Sequence, residues 1–171
     1  MLKHLPNLLT ASRILMAPYI FYLMARSAYG AALVWFAAAA ITDALDGFLA
    51  RRLNSSSRIG AYFDPVADKI LLSGSFLVLA LAGAIPIWIA AVVLGRDALL
   101  VTGAAIALRS GTAMDLTPSV WGKWSTIVQI AYLATVLAEV PTSAGAWLTV
   151  AITLGSGVNY IWRFLVTAKG K

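Results

Sequence analysis

Six apolar runs, each about as long as a lipid bilayer's hydrocarbon layer is thick, account for most of the 171-residue chain. A layer of ~30 Å takes about 20 helical residues. Runs of that order, bounded by charge, Pro or Gly, fall at residues 11–27, 31–52, 59–83, 86–108, 119–138 and 145–166. With 61% hydrophobic and 12% charged residues, the chain lacks the polar surface that a soluble globule of this size requires. The expected fold is therefore an all-α integral membrane bundle of six transmembrane helices. It forms one domain over residues 1–171, with residues 1–10 as a short N-terminal interfacial segment. The connections are short, so neighbouring helices should be antiparallel. Pro86 and Pro118 suit the first turn of a helix, and Pro141 and Gly145 mark the turn before the last one.

Charge sets the orientation. Lys3, Arg13, Arg51, Arg52, Arg58, Lys69, Arg109, Lys123, Arg163, Lys169 and Lys171 fall toward the side of the N-terminus, against Arg26 on the other. By the positive-inside rule that side is cytoplasmic, and with six spans both termini share it. The net charge of +6 then reads as head-group contact rather than nucleic-acid binding. Cysteine is absent, which removes disulfides, thiolate zinc sites and thiol catalysis. His4 is the only histidine and no G-x-S-x-G elbow is present, so serine-hydrolase chemistry is excluded. Pro6, Arg13 and Pro18 break up the N-terminal apolar run, and no A-x-A site follows, so this segment is expected to be retained.

The seven acidic residues are not spread evenly: Asp43, Asp46, Asp64 and Asp68 cluster around a single turn. Asp43 and Asp46 are three apart, and Asp64 and Asp68 four apart, so each pair shares a helical face. The turn over 52–59 would bring the two pairs together near the cytoplasmic surface. Four carboxylates there repel one another unless a cation lies among them. An all-oxygen donor set selects a hard divalent ion, Mg²⁺, Mn²⁺ or Ca²⁺, and two such ions are plausible. Metals beside Arg51 and Arg58 would suit a pyrophosphate. Gly47, Ala50 and Gly60 leave room for a nucleotide near the backbone, with Ser57 a donor at the rim.

The full pattern is Asp43-x2-Asp46-Gly47-x2-Ala50-Arg51-x8-Gly60-x3-Asp64-x3-Asp68. It resembles the signature of the CDP-alcohol phosphotransferases at every specified position. The segment Pro6-Asn7-Leu-Leu-Thr10-Ala-Ser-Arg13 looks like that family's N-terminal region, and six helices match its architecture, so the resemblance covers essentially the whole chain. It implies that Asp43, Asp46, Asp64 and Asp68 bind two Mg²⁺ or Mn²⁺ ions and that Asp68 is also the general base. It further implies that Asn7, Thr10, Gly47, Ala50, Arg51, Ser57 and Gly60 hold CDP-diacylglycerol, whose phosphatidyl group passes to an alcohol while CMP leaves. Members are commonly homodimers embedded among membrane lipids, and that too is expected here.

The signature does not name the acceptor alcohol. Arg58, Arg109, Lys123 and Arg96 are basic residues able to receive an acceptor phosphate, although Arg109 and Lys123 could equally anchor helices at the interface. The sequence Gly122-Lys-Trp-Ser125 followed by Gln129, with Ala50-Arg-Arg52 and Asp64-Pro-Val-Ala-Asp-Lys69, looks like the phosphatidylglycerophosphate synthase branch, which implies glycerol 3-phosphate. Arg96-Asp97 instead resembles the cardiolipin synthase type, which implies phosphatidylglycerol. Both residues lie mid-helix, where charge must face the bundle interior, and Asp97 reads as structural. The six tryptophans suit an aromatic belt. A cation or proton carrier is the alternative of another class, but no ionisable chain continues the acidic cluster to the opposite side.

Overall fold

The computed structural model describes the backbone of residues 5–53, 58–109, 119–140 and 143–169, and side chains within 15–42, 69–106, 119–140 and 143–166. The described residues form six helices and no strand: α1 (Leu5–Ala25), α2 (Tyr29–Leu53), α3 (Arg58–Leu81), α4 (Ile87–Arg109), α5 (Val120–Leu137) and α6 (Ser143–Lys169). Most ends fall within a few residues of the apolar runs, because the positions that interrupt the hydrophobic pattern also interrupt the helix.

The N-terminus departs from expectation. Helix α1 is continuous from Leu5, so residues 5–10 are its first turns rather than a separate interfacial segment. Pro6 explains why the break expected there is missing. It stands in the first turn, where its absent N–H would have no intrahelical partner anyway. Pro18, inside α1, does not end the helix either. The connection between α2 and α3 is also shorter than the expected 52–59, since α2 runs to Leu53 and α3 starts at Arg58.

Helix α1 packs on both α2 and α3, α3 on α4, α4 on α6, and α6 on α5, with smaller contacts from α5 to α2 and α3. Contacts along the helices give their directions. Trp88 with Trp147, Arg96 with Ser156 and Leu100 with Tyr160 advance in step, so α4 and α6 are parallel. Helices α5 and α6 are antiparallel, with Ser125 beside Thr153 and Tyr132 beside Gly145. The described turns at the end remote from the N-terminus each carry one left-handed residue: Ser27 (φ 55°), Gly83 (φ 76°) and Glu139 (φ 57°). The start of α1 and the end of α6 consequently share the other end of the bundle.

Phe76, Ile20, Met24, Leu79, Ile89 and Leu133 are fully buried at the centre. Apolar residues also cover the outside: Leu15, Val34, Leu81, Trp147 and Trp162 are each at least 67% exposed. Among the described residues one stretch, Ile87–Ile106, is long and apolar enough to cross a membrane, and Leu15–Ala25, Tyr29–Thr42 and Lys69–Leu81 are shorter apolar segments.

Close contact of α1 with α3 depends on Gly74. A Cβ there would stand 2.4 Å from Cζ of Phe21, well inside contact distance. Gly74→Val should destabilise the protein by about 1–3 kcal/mol, the usual cost of overpacking. Thermal melts in detergent should show the loss, and Phe21→Ala in the same chain should recover part of it.

Candidate active site

The signature is divided between two helices that both pack on α1. Helix α2 carries Asp43, Asp46, Gly47, Ala50 and Arg51, and α3 carries Arg58, Gly60, Asp64 and Asp68, while Asn7 and Thr10 lie on α1. Their backbones are helical, as the face-sharing argument requires, and their side chains lie outside the described residues, as does that of Arg109. Ser57, in the connection, lies wholly outside them. Among the described residues no three acids or histidines gather as a metal site would require.

One residue beyond Asp68 the side chains are described, and they form a charged network through the bundle. Lys69 Nζ donates to Oδ1 of Asp97 on α4. One turn further along α3, Ser73 Oγ donates to Oδ2 of the same carboxylate at 2.6 Å. Arg96 Nη1 reaches back to Asp97 Oδ1 at 2.9 Å, and its Nη2 donates to Ser156 Oγ on α6 at 2.8 Å. Arg96 and Asp97 are buried, as expected for mid-helix charges. A guanidinium is long enough to fold onto its neighbour's carboxylate even though adjacent residues point about 100° apart. Arg96 Nε, buried, has no hydrogen-bond partner.

A second polar seam joins α5 to α6. Gln129 Nε2 donates to Ser125 Oγ at 3.1 Å and to Thr153 Oγ1 at 3.0 Å, and all three residues are buried. Ser125 and Gln129 thus serve helix packing, where interhelical hydrogen bonds replace the missing hydrophobic drive between membrane helices.

Helix α5 starts late. Its N-cap Ser119 accepts from the Gly122 backbone N–H at 3.1 Å, the usual way to satisfy a first-turn donor. A Cβ on Gly122 would lie 3.4 Å from Arg96 Nη2. The start of α5 is therefore level with Arg96, roughly 20 Å short of the end of α4 at about 1.5 Å per residue. The positive end of a helix dipole and buried Arg96 consequently lie side by side at the level of Lys69, with exposed Lys123 on the same first turn.

Of the basic residues expected at the acceptor, the structure brings Arg96 together with the first turn of α5, which carries Lys123. Lys69, Ser73 and Ser156 were not among the expected site residues. A usable signal was present: Lys69 is a lysine at the head of an apolar segment, and Asp97 is the one acid on the antiparallel helix that follows.

The sequence model of the CDP-alcohol phosphatidyltransferase family matches residues 3–156. A cardiolipin synthase (CMP-forming)/mitochondrial hydrolase fusion protein of Schizosaccharomyces pombe is 32% identical over 91% of this chain and 30% of its own length. A CDP-diacylglycerol–glycerol-3-phosphate 3-phosphatidyltransferase of Aquifex aeolicus is 35% identical over 72% of this chain and 70% of its own. A probable phosphatidylglycerophosphate synthase of Mycobacterium tuberculosis is 30% identical over 96% and 83%. The chain spans between 30% and 56% of the length of the cardiolipin synthases it matches. A match over nearly all of the sequence, with the aspartate signature on two helices that both pack on α1, places this chain in the CDP-alcohol phosphatidyltransferase family.

Proposed function

We propose that this protein is a multi-pass membrane enzyme that transfers a phosphatidyl group from CDP-diacylglycerol to glycerol 3-phosphate and releases CMP. Family membership supports the donor. The acceptor rests on one observation: the inset N-terminus of α5, flanked by Arg96 and Lys123, is level with Lys69, the residue after Asp68. Helix N–H donors and two cations in a partly dry site form a receptor for a phosphate monoester. Arg58 and Arg109, at the ends of α3 and α4, are further candidates on the same side of the bundle.

In this reading Asp68 takes the proton of the acceptor hydroxyl. The resulting alkoxide attacks the phosphorus that carries diacylglycerol, and the bond to CMP breaks with its electrons on the departing phosphate. Asp43, Asp46, Asp64 and Asp68 are an all-oxygen donor set that fits two Mg²⁺ or Mn²⁺ ions, which would supply charge for the pyrophosphate. Asn7, Thr10, Gly47, Ala50, Arg51, Ser57 and Gly60 would hold the nucleotide lipid. All six helices would cross the bilayer, with both termini and the site on the cytoplasmic side and two copies pairing as a homodimer. The apolar outer surface and the exposed tryptophans support the membrane crossing, and the placement of basic residues toward the N-terminal side supports its orientation.

Phosphatidylglycerol is the second acceptor to test, because several relatives are named cardiolipin synthases. Purified protein with CDP-diacylglycerol, Mg²⁺ and each alcohol in turn should release CMP and form phosphatidylglycerophosphate with glycerol 3-phosphate. Consumption of phosphatidylglycerol alone would replace that acceptor. Asp68→Asn should lower turnover by about 10²-fold or more, the usual share of a general base, and near-normal turnover would remove it from that role. Chelation should stop the reaction and either Mg²⁺ or Mn²⁺ should restore it, whereas turnover in thoroughly chelated protein would rule the metals out. Lys123→Ala should raise the KM for glycerol 3-phosphate by about tenfold while that for CDP-diacylglycerol stays within about twofold.

A further inference from the structure

We propose that Asp97 is a positioning residue that fixes the rotation of α3 about its own axis and so sets the direction in which Asp64 and Asp68 are presented. The proposal rests on the phosphatidyltransferase reading above. Its starting point is that α3 meets the Asp97 carboxylate at two points one turn apart. Lys69 holds Oδ1 and Ser73 holds Oδ2. A single contact would leave a helix free to roll, but two groups spaced i and i+4 on opposite oxygens of one carboxylate define a face.

That face has a fixed angular relation to the signature. Asp64 and Asp68 are themselves i and i+4, and Asp68 immediately precedes Lys69, so the two stripes on α3 differ by about 100°. Turning the Lys69–Ser73 face toward α4 therefore commits the Asp64–Asp68 face to a single direction. The carboxylate is held from behind as well. Arg96 Nη1 bonds Asp97 Oδ1 and Nη2 bonds Ser156, so the anchor is tied through α4 to α6.

Apolar packing acts beside the clasp in the same sense: Leu71 and Leu72, between its two contact points, are buried while Ile70 is exposed, and Gly74 against Phe21 and buried Phe76 follow later in the helix. The clasp adds to that packing a directional polar constraint at the end of α3 that carries Asp64 and Asp68. Electrostatics also favours the arrangement. Lys69 and Arg96 share one carboxylate, so the triad carries one more positive than negative group, next to the helix that bears two of the four acids.

The chain contains no cysteine, so labels can be placed uniquely. Spin labels at Ile70→Cys on α3 and Val101→Cys on α4, both exposed positions, would report the rotation of one helix against the other. A pair at Ile130→Cys and Leu154→Cys reports α5 against α6 as a control. Asp97→Asn should shift or broaden the first distance distribution and leave the second unchanged. In unlabelled protein Asp97→Asn should lower kcat by about tenfold or more, since misplacement of reacting groups by about 1 Å can cost 10²-fold. The KM for CDP-diacylglycerol should stay within about twofold, and Asp97→Glu should recover most of the rate. Ser73→Ala, which removes one contact and no charge, should show the same distance change to a smaller degree.

An Asp97→Asn protein with kcat within about twofold of the parent, or with an unchanged distance between positions 70 and 101, overturns the proposal. Should Asp97→Asn fail to fold, Ser73→Ala decides, and an unchanged distance there overturns it equally. If the parent protein turns over none of the alcohols, the phosphatidyltransferase reading falls and the distances alone decide whether the clasp sets the rotation.

Discussion

A charge that has left water must find a partner, and the interior of this bundle is arranged around that requirement. Asp97 alone accepts from Lys69, Ser73 and Arg96, and through Arg96 it reaches Ser156. Three helices meet in that network. Replacing Asp97 leaves Arg96 as a buried charge without its carboxylate, and such a loss is more costly than the pairing is favourable. The network therefore acts as a specification of geometry more than as a source of net stability. It allows one mutual arrangement of α3, α4 and α6, and the helix carrying Asp64 and Asp68 is one of the three.

The remaining contacts are of the kind that membrane helices use when apolar burial between them offers little. Gly74 admits the ring of Phe21, and Gly103 admits Tyr160, whose hydroxyl donates to the Leu100 carbonyl at 3.3 Å. Gln129, Ser125 and Thr153 tie α5 to α6 by hydrogen bonds. Small residues set the approach distance and polar ones set the register. Both devices appear where α5 meets α6, while the glycine contact at Gly74 lies on α3 itself and α5 also touches α2 and α3.

How much of this was legible in the sequence depends on the range of the interaction involved. Helix existence and ends follow from local patterns, so Ile87–Arg109 and Val120–Leu137 are readable from apolar length and from Pro86, whereas the Ser119 cap appears only in the structure. The extension of α1 to Leu5 was misread because Pro6 was taken as a stop, whereas at the first turn it is compatible with a helix. The helical backbone at the four aspartates was legible because their spacing is itself a helical statement. The clasp was not, although each member is plain in the sequence. Lys69 was counted as a marker of orientation and Asp97 as a structural charge, and only the side-by-side placement of α3 and α4 shows that they are one feature. The role of Gln129 also changed with structure: a residue that looked like part of a motif is spent on a bond to Thr153.

The late start of α5 has a chemical consequence that follows from helix physics. A helix beginning at the surface has its first N–H groups satisfied by water, and its dipole is screened. Helix α5 begins beside buried Arg96, with Ser119 half-buried and Val120, Trp121 and Lys123 exposed, so these compensations act on one side of its first turn only. Ser119 satisfies the Gly122 N–H, yet the dipole remains, and Lys123 and Arg96 add positive charge of the same sign at the same place. Such a concentration is unfavourable on its own and becomes favourable when an anion occupies it. Asp97 offsets Arg96 only in part, because it is shared with Lys69. Positive charge left over in this way would favour an anion at that level. A polar acceptor that carries one phosphate would complete the charge balance there, whereas one with none would leave it unmet. Under the proposed function, the charge deficit at the head of α5 would bear on the choice of acceptor as much as shape does.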